Sequence, residues 1–330
     1  MFIPRAIGPI RPPPEAHSLL IRVTENCPWN RCKFCSVFKE KRFKKRTVAE
    51  VQKDILAAKR EADHIKEWAE HTRHPINLVA RHNNILWLDD GYVSSAFLQD
   101  SNSLVMKIEL LVEILEFLYK TFPTLKRVSS YARAKTVLRK KPDQLRQLRK
   151  AGLSRLYIGI ESGDEELLAH MQKGATADEM VQAGQKVMKA GFELSLYVMP
   201  GLGGRERWEH HARNTARVLN EINPHFIRLR TLHLMEGTPL YEQAKRDEFH
   251  VSTIEEVLIE VRRLIEDLHV TSELIFTDQA FNAFMGGYDG KLSEDKEGLL
   301  ESIDKALTWW RKKGKSKRNP FMGNLNQSVN

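Results

Sequence analysis

The chain has 330 residues, a formal net charge of +9 and 42% hydrophobic residues, enough for one α/β barrel domain or for two smaller domains. It has no apolar run long enough to span a membrane, and its first residues lack the apolar core of a secretory signal. These features predict a cytoplasmic protein, in which thiols stay reduced.

Short apolar strands alternate with longer helical patterns, which is typical of repeated βα units and a parallel sheet. The predicted strands are 18–24, 95–100, 127–131, 156–160, 194–199 and 225–232. The predicted helices are 47–71, 78–90, 108–122, 142–151, 165–172, 176–190, 206–220, 252–268 and 295–310. Gly-rich residues 286–290 are predicted to be irregular, and His210 and His211 to lie on a solvated helix face.

Three cysteines follow the first predicted strand, in the sequence Cys27-Pro-Trp-Asn-Arg-Cys32-Lys-Phe-Cys35. The chain has no other cysteine, so a disulfide framework is excluded. Thiolates are ligands for zinc and for iron–sulfur clusters. A structural zinc normally takes four protein ligands, whereas three cysteines can hold a four-iron cluster and leave one iron open. The spacing therefore favours a cluster, with a zinc loop completed by a histidine or a carboxylate as the alternative.

The cysteine loop resembles that of the radical S-adenosylmethionine (radical SAM) superfamily. That family places an aromatic residue before the third cysteine, as Phe34 is here, but its first spacing is usually one residue shorter. Three further segments resemble later strands of the branch that includes oxygen-independent coproporphyrinogen oxidase, the Elp3-like enzymes and the methylthiotransferases. They are Tyr157-Ile-Gly-Ile-Glu-Ser-Gly163, Tyr197-Val-Met-Pro-Gly-Leu-Gly203, and Phe226-Ile-Arg-Leu-Arg-Thr-Leu232 with Glu236-Gly-Thr-Pro-Leu-Tyr241.

The six βα units and this resemblance together predict an α/β fold in the form of a partial (β/α)6 TIM-like barrel. The barrel would cover residues 1–240, with an N-terminal arm at 1–17. A helical extension with a basic tail would cover 241–330. The sites of such barrels lie where the strands end.

The resemblance implies a [4Fe-4S] cluster on Cys27, Cys32 and Cys35, and S-adenosylmethionine on the open iron. One electron would cleave the S-adenosylmethionine and release a 5′-deoxyadenosyl radical, which would abstract hydrogen from a substrate. The residues expected to bind this cofactor lie mostly at the strand ends: Phe34, Gln99, Asp100, Ser130, Arg133, Glu161, Ser162, Lys173, Tyr197, Met199, Arg228, Arg230 and Leu232. Gln99 and Asp100 stand where the family has Gly-Gly-Glu for the methionyl amino group. Lys173 could pair with the methionyl carboxylate. Arg228 and Arg230 alternate on one strand, so both should face one side, either toward the cofactor or as partners of Glu161.

Basic residues are concentrated in two runs. Residues 39–46 follow the cysteine loop and suit an acidic electron donor such as flavodoxin or ferredoxin, because complementary charge speeds encounter. The second run, 311–318, is expected to be solvated. A nucleic-acid backbone is the competing partner for the first run.

Three functions remain open. The first is a radical enzyme acting on an organic substrate. The second is a radical enzyme that modifies RNA. The third is a zinc-loop binding module without catalysis.

Overall fold

The computed structural model describes residues 5–277 and 289–313. The chain divides into two compact units. The first unit is formed by Met1–Pro28, Glu40–Tyr157 and Lys186–Glu193, and the second by Trp29–Lys39, Ile158–Gln185 and Leu194–Asn330. Within the described ranges, no helix is both long enough and apolar enough to cross a membrane.

The first unit is built on parallel strands. Its strands are β1 (Leu19–Arg22), β2 (Thr24–Glu25), β3 (Lys44–Lys45), β4 (Ser95–Gln99) and β5 (Arg127–Ala132). Its helices are α1 (Val48–Thr72), α2 (Ile76–His82), α3 (Ile108–Thr121), α4 (Ala134–Arg139) and α5 (Pro142–Lys150). Strands β1, β4 and β5 pair in parallel in that order, with Leu19 opposite Ala96 and Leu98 opposite Ser130.

Local sequence explains the longest helix of this unit. Thr47 and Glu50 form a capping box, in which each side chain bonds to the backbone of the other residue and so satisfies open N–H groups at the start of α1. Beyond it, Ile55, Ala58, Ala62 and Ile65 repeat at helical spacing and are buried. The apolar face of α1 therefore supplies one side of this unit's core.

The second unit repeats the same alternation. Strand β6 (Leu153–Glu161) begins in the first unit and ends in the second. Helix α7 (Ala177–Lys189) begins in the second unit and ends in the first. The other elements are α6 (Glu165–His170), β7 (Glu193–Val198), α8 (Gly204–Ile222), β8 (Phe226–Leu229), α9 (Pro239–Lys245), α10 (Ile254–Asp267), β9 (Glu273–Ile275), β10 (Gly290–Lys291) and α11 (Leu292–Lys313). Strands β7, β8 and β9 pair in parallel, whereas β10 pairs antiparallel to β9.

All six predicted strands are present, as are the predicted helices. One prediction was too long: the helix expected over 78–90 is Ile76–His82, and residues 83–93 continue in turns. The short elements α4, α9, β2, β3, β9 and β10 were not predicted. Residues 286–288 and the basic tail from residue 314 lie outside the described residues. The domain boundary at residue 240 stays a prediction.

Candidate active site

Hydrogen bonds to both its backbone N–H and its backbone C=O hold Asn26, the residue before Cys27, in place. The N–H of Asn26 donates to Oδ2 of Asp100 at 2.8 Å, and its C=O accepts from Oγ of Ser101 at 3.1 Å. Arg22 donates to the same Oδ2 from Nε at 3.0 Å and from Nη2 at 2.7 Å. Asp100 therefore fixes the point at which the chain leaves β2 for the cysteine loop.

The other oxygen of Asp100 points toward the N-terminal arm. Oδ1 is buried and receives no hydrogen bond from the described residues, and a Cβ on Gly8 would lie 1.7 Å from it. Burial raises the pKa of this carboxyl above its ordinary value, against the opposing effects of the Asn26 amide and the Arg22 guanidinium. The predicted contact of Asp100 with a methionyl amino group stays a prediction.

The other candidate residues of the first unit are also bonded to protein. The side chain of Gln99 accepts from the N–H of Gly8 at 2.9 Å and donates to the C=O of Ile10 at 2.9 Å. The buried hydroxyl of Ser130 donates to Oγ of Ser103 at 2.7 Å. Arg133 is half-buried at the N-cap position of α4. Gln99 therefore fastens the N-terminal arm, and Ser130 fastens the turn after β4.

In the second unit, the cysteine loop docks on the turn that follows α6. Nε1 of Trp29 donates to the C=O of Gln172 at 2.8 Å, and the N–H of Lys33 donates to the C=O of Met171 at 3.0 Å. Gly174 has a φ of +75°, and a Cβ there would lie 2.3 Å from the Trp29 ring. The loop therefore packs directly against the turn that carries Lys173.

Cys27, Cys32 and Cys35 are half-buried and form no disulfide, and Phe34 between the last two is half-buried as well. Nζ of Lys39 donates to the C=O of Cys32 at 3.0 Å and to the C=O of Asn30 at 3.2 Å. Within residues 5–277 and 289–313, no three His, Cys, Asp or Glu side chains are grouped closely enough to hold a single metal ion.

The turn that carries Lys173 also forms an ion pair. Nζ of Lys173 lies 2.8 Å from Oε1 of Glu161, and both side chains are about 15% exposed. Gly159 leaves room for the pair, because a Cβ there would lie 2.1 Å from Oε1 of Glu161. Glu161 ends β6 in a left-handed conformation, with a φ of +65°. Ser162 accepts a turn hydrogen bond from the N–H of Asp164 at 2.9 Å.

The remaining candidates lie along β7 and β8. Tyr197, Met199 and Leu232 are buried, with at most 9% of each exposed. Arg228 is 3% exposed, and its Nε donates to Oγ of Ser195 at 3.0 Å. Arg230 lies beyond the end of β8 and is exposed. The two arginines therefore do not share an environment, and the carboxylate of Glu161 is paired with Lys173.

One residue of this region, His211, does not lie where the sequence pattern predicts. His211 was expected on a solvated face of α8, but it is 1% exposed, and only His210 faces solvent. Nδ1 of His211 lies 3.0 Å from Oε1 of Glu260, and Nε2 lies 3.1 Å from the backbone oxygen of Glu161. Adjacent histidines on a helix face different sides, and nothing in the local pattern identified Glu260, 49 residues away, as the partner.

Some basic side chains of the run 39–46 bond to other parts of the protein, and others face solvent. Lys39 bonds to the cysteine loop, Lys44 pairs with Glu25 and Glu50, and the buried Arg46 pairs with Asp54 at 2.6 Å. Lys44 is exposed as well as paired, and Lys41, Arg42 and Lys45 are the other exposed members of the run. Burial lowers the pKa of Lys140, and the nearby positive charge of Lys45 lowers it further. About half of the run is therefore structural.

Comparison with known proteins gives a family match over part of the chain. Residues 95–216 match the model of the Radical SAM superfamily. Two curated relatives are the tRNA uridine(34) acetyltransferases of Methanocaldococcus jannaschii and Methanocaldococcus infernus. They are 26% identical over 117 residues and 28% identical over 121, or 35% of this chain in each case. The matches span only 21% and 22% of the relatives' own lengths.

Solved structures share the fold. The archaeal Elp3 of Methanocaldococcus infernus aligns with a TM-score of 0.51 at 14% identity, covering 94% of this chain and 64% of that one. Coproporphyrinogen III oxidase (HemN) of Escherichia coli aligns with a TM-score of 0.50 at 15% identity, covering 76% and 51%. The predicted α/β fold of the partial-barrel type is confirmed. The match over residues 95–216 agrees with the predicted superfamily. The family's cofactors, a [4Fe-4S] cluster and S-adenosylmethionine, are those predicted.

Proposed function

Because this chain carries a domain of the radical SAM superfamily, we propose that it cleaves S-adenosylmethionine reductively and abstracts hydrogen from an organic substrate. The cluster would be held by Cys27, Cys32 and Cys35. One observation carries this proposal: the loop with Cys32 and Cys35 packs on the turn that bears Lys173, and Lys173 pairs with Glu161. The loop proposed to hold the cluster thus lies beside a polar pair suited to an amino acid cofactor.

The donor set fits the proposed cofactors. Three thiols in one loop, with no fourth cysteine in the chain, match a cluster that keeps one iron open. The Lys173–Glu161 pair offers one cation and one anion, which match the carboxylate and the amino group of a methionyl moiety. The buried side chains of Tyr197 and Met199 offer an apolar contact for adenine.

When bound, the cluster and S-adenosylmethionine supply one-electron cleavage to methionine and a 5′-deoxyadenosyl radical. The residues of the chain bind and orient. Lys173 would hold the methionyl carboxylate, and Glu161 would accept hydrogen bonds from the amino group or from ribose hydroxyls. Tyr197, Met199 and Leu232 would exclude water around the nucleoside.

Anaerobic reconstitution with iron and sulfide tests the metal assignment. We expect about four irons in the wild-type protein, since a cubane cluster contains four. C27A, C32A and C35A should each lose this iron, whereas S36A, in the same loop, should bind as the wild type does. Stoichiometric zinc with no iron–sulfur absorbance would favour the zinc-loop alternative and contradict the proposal.

RNA is a second candidate substrate. The curated relatives are named for a transfer RNA uridine, and Lys41, Arg42 and Lys45 give the first unit an exposed cationic surface. Because the matches span about a fifth of those relatives, we do not extend their acetyl transfer to this chain.

Salt-dependent binding of unfractionated transfer RNA separates this substrate from a small molecule. If RNA binds, the triple variant K41E/R42E/K45E should weaken binding and reduce the salt slope by about three charges, since each phosphate contact releases counterions. The matched control K126E/K150E/K189E changes net charge equally on other exposed residues. Equal effects of the two triple variants would remove the case for RNA at this surface.

The same cationic surface is the proposed docking point for an acidic electron donor, flavodoxin or ferredoxin, in a cytoplasmic setting. Complementary charge would raise the rate of encounter, and salt would lower it. The reduction rate of the reconstituted protein by flavodoxin should therefore fall in K41E/R42E/K45E, while reduction by dithionite should not change.

A further inference from the structure

A buried pair of titratable side chains, His211 and Glu260, lies close to Glu161 in the second unit. His211 on α8 is 1% exposed, and Glu260 on α10 is 2% exposed. Nδ1 of His211 lies 3.0 Å from Oε1 of Glu260. Neither residue belongs to a motif that carried the family resemblance, and the proposed chemistry assigns neither of them a role.

The surroundings of His211 determine its protonation. Nε2 lies 3.1 Å from the backbone oxygen of Glu161, and the carboxylate of Glu260 faces Nδ1. Nδ1 makes no hydrogen bond with the described residues, so its approach to Glu260 is an electrostatic contact, and Nε2 is the ring nitrogen placed to donate to the Glu161 oxygen. Burial by itself would lower the pKa of His211, but the Glu260 carboxylate, the Glu161 carbonyl and the charge of Asp164 outweigh it and raise that pKa.

Glu260 extends the network to the turn after β7. Its two carboxylate oxygens accept from the N–H of Gly201 at 3.0 and 3.1 Å. The oxygen of Glu161 that faces His211 also accepts from the N–H of Met199 at 2.9 Å. His211 and Glu260 therefore connect two backbone points: the end of β6, where Glu161 has a φ of +65°, and the turn at Gly201, with a φ of +84°.

We propose that His211 is a positioning residue for S-adenosylmethionine: its Nε2 holds the backbone of Glu161 in the binding conformation, and Glu260, which also accepts from the Gly201 N–H, holds the His211 ring in place. This inference rests on the proposed function, because it assigns Glu161 to that cofactor. A non-glycine residue in the left-handed region persists only where its surroundings fix it. At Glu161, the surroundings that do so are the Met199 amide and the His211 ring.

Two substitutions separate the two contacts of the ring, the hydrogen bond of Nε2 with Glu161 and the approach of Nδ1 to Glu260. In H211Q, the amide nitrogen reaches about as far as Nε2 and can still donate to Glu161. In H211N, the side chain is shorter, so its amide nitrogen lies near the position of Nδ1 and can donate only toward Glu260. The control is E255Q, on the same helix as Glu260 and remote from the pair. Binding of labelled S-adenosylmethionine to the anaerobically reconstituted protein, at matched iron content, is the measurement.

We expect the affinity of H211Q for S-adenosylmethionine to lie within about threefold of the wild type. The affinity of H211N should be at least about tenfold lower, which corresponds to about 1.36 kcal/mol of binding free energy. At saturating cofactor, both variants should form 5′-deoxyadenosine at similar rates, so that KM changes more than kcat. A residue needed only for folding would lower the melting temperature of both variants and would not separate their affinities.

Nitrogen-15 NMR of the His211 ring in the wild type provides an independent readout. A ring pKa above the ordinary value of about 6.5 supports the contact with the Glu260 carboxylate, and a ring pKa below it overturns that contact. Equal affinities of H211N, H211Q and the wild type would overturn the role of His211 alone. A wild type that binds four irons but no S-adenosylmethionine would instead defeat the proposed function, and this proposal with it.

Discussion

The polar residues at the strand ends of the two units are used differently. In the first unit, Gln99, Asp100 and Ser130 bond to the N-terminal arm, to Asn26 and to Ser103. In the second unit, Glu161 and Lys173 bond to each other and keep about 15% of each side chain exposed. Position at a strand end therefore does not by itself identify a ligand-binding residue. The partners of each side chain distinguish a residue that holds the chain from one that can hold a cofactor.

The largest expected effect on stability lies in the first unit. D100A removes a buried carboxylate and leaves Arg22 and the Asn26 amide without their acceptor. Breaking such a pair costs about 3–5 kcal/mol of unfolding free energy, measured by urea denaturation. The control D63A breaks an exposed pair with Lys59 and should cost less than about 1 kcal/mol. A small effect of D100A would show that Asp100 does not anchor the loop.

A smaller effect is expected where the cysteine loop docks. G174A adds a Cβ 2.3 Å from the Trp29 ring at a φ of +75°. The control G237A has a similar φ of +77° but no atom within 4 Å of the added Cβ. In both variants, placing alanine at a positive φ should lower the free energy of unfolding by about 1 kcal/mol. Only G174A should also reduce the iron bound on reconstitution, and equal iron content in the two variants would argue against the docking contact.

The Lys173–Glu161 pair should affect the cofactor more than the fold. K173Q removes a partly exposed ion pair and should cost less than about 2 kcal/mol of stability. Affinity for S-adenosylmethionine should fall by about tenfold or more, as loss of a charge-assisted contact predicts. K189Q, at an exposed lysine, is the control. Unchanged affinity in K173Q would place the methionyl carboxylate elsewhere.

The smallest expected effect is a dependence of stability on pH. Since the folded-state pKa of His211 is raised, its contribution is fully present below the ordinary histidine value of about 6.5 and is lost as pH rises through the folded value. Glu260 and Asp164 are the charged groups that favour the imidazolium. Unfolding free energy should therefore fall more steeply with rising pH in the wild type than in H211Q. Parallel curves would mean that His211 is neutral when folded.

The sequence was sufficient to predict the strands and the cysteine loop, because strand spacing and motif order are local. It did not predict that Lys173 pairs with Glu161, for which Arg228 and Arg230 were the expected protein partners. The roles of Asp100 and His211 depend on contacts between residues distant in sequence: Asp100 bonds to Asn26, and His211 faces Glu260. Helical periodicity could have separated His210 from His211, because neighbours on a helix point in different directions. The carboxylate that makes burial of His211 tolerable could not be identified from sequence.

Formation of 5′-deoxyadenosine tests the central claim most directly. The reconstituted protein, reduced by dithionite under anaerobic conditions, would be incubated with S-adenosylmethionine and analysed by liquid chromatography. We expect 5′-deoxyadenosine and methionine in equal amounts from the wild type and from S36A, and none from C27A, C32A or C35A. Formation of the nucleoside by any of these cysteine variants, or its absence from a wild type carrying four irons and bound S-adenosylmethionine, would contradict the proposed cleavage.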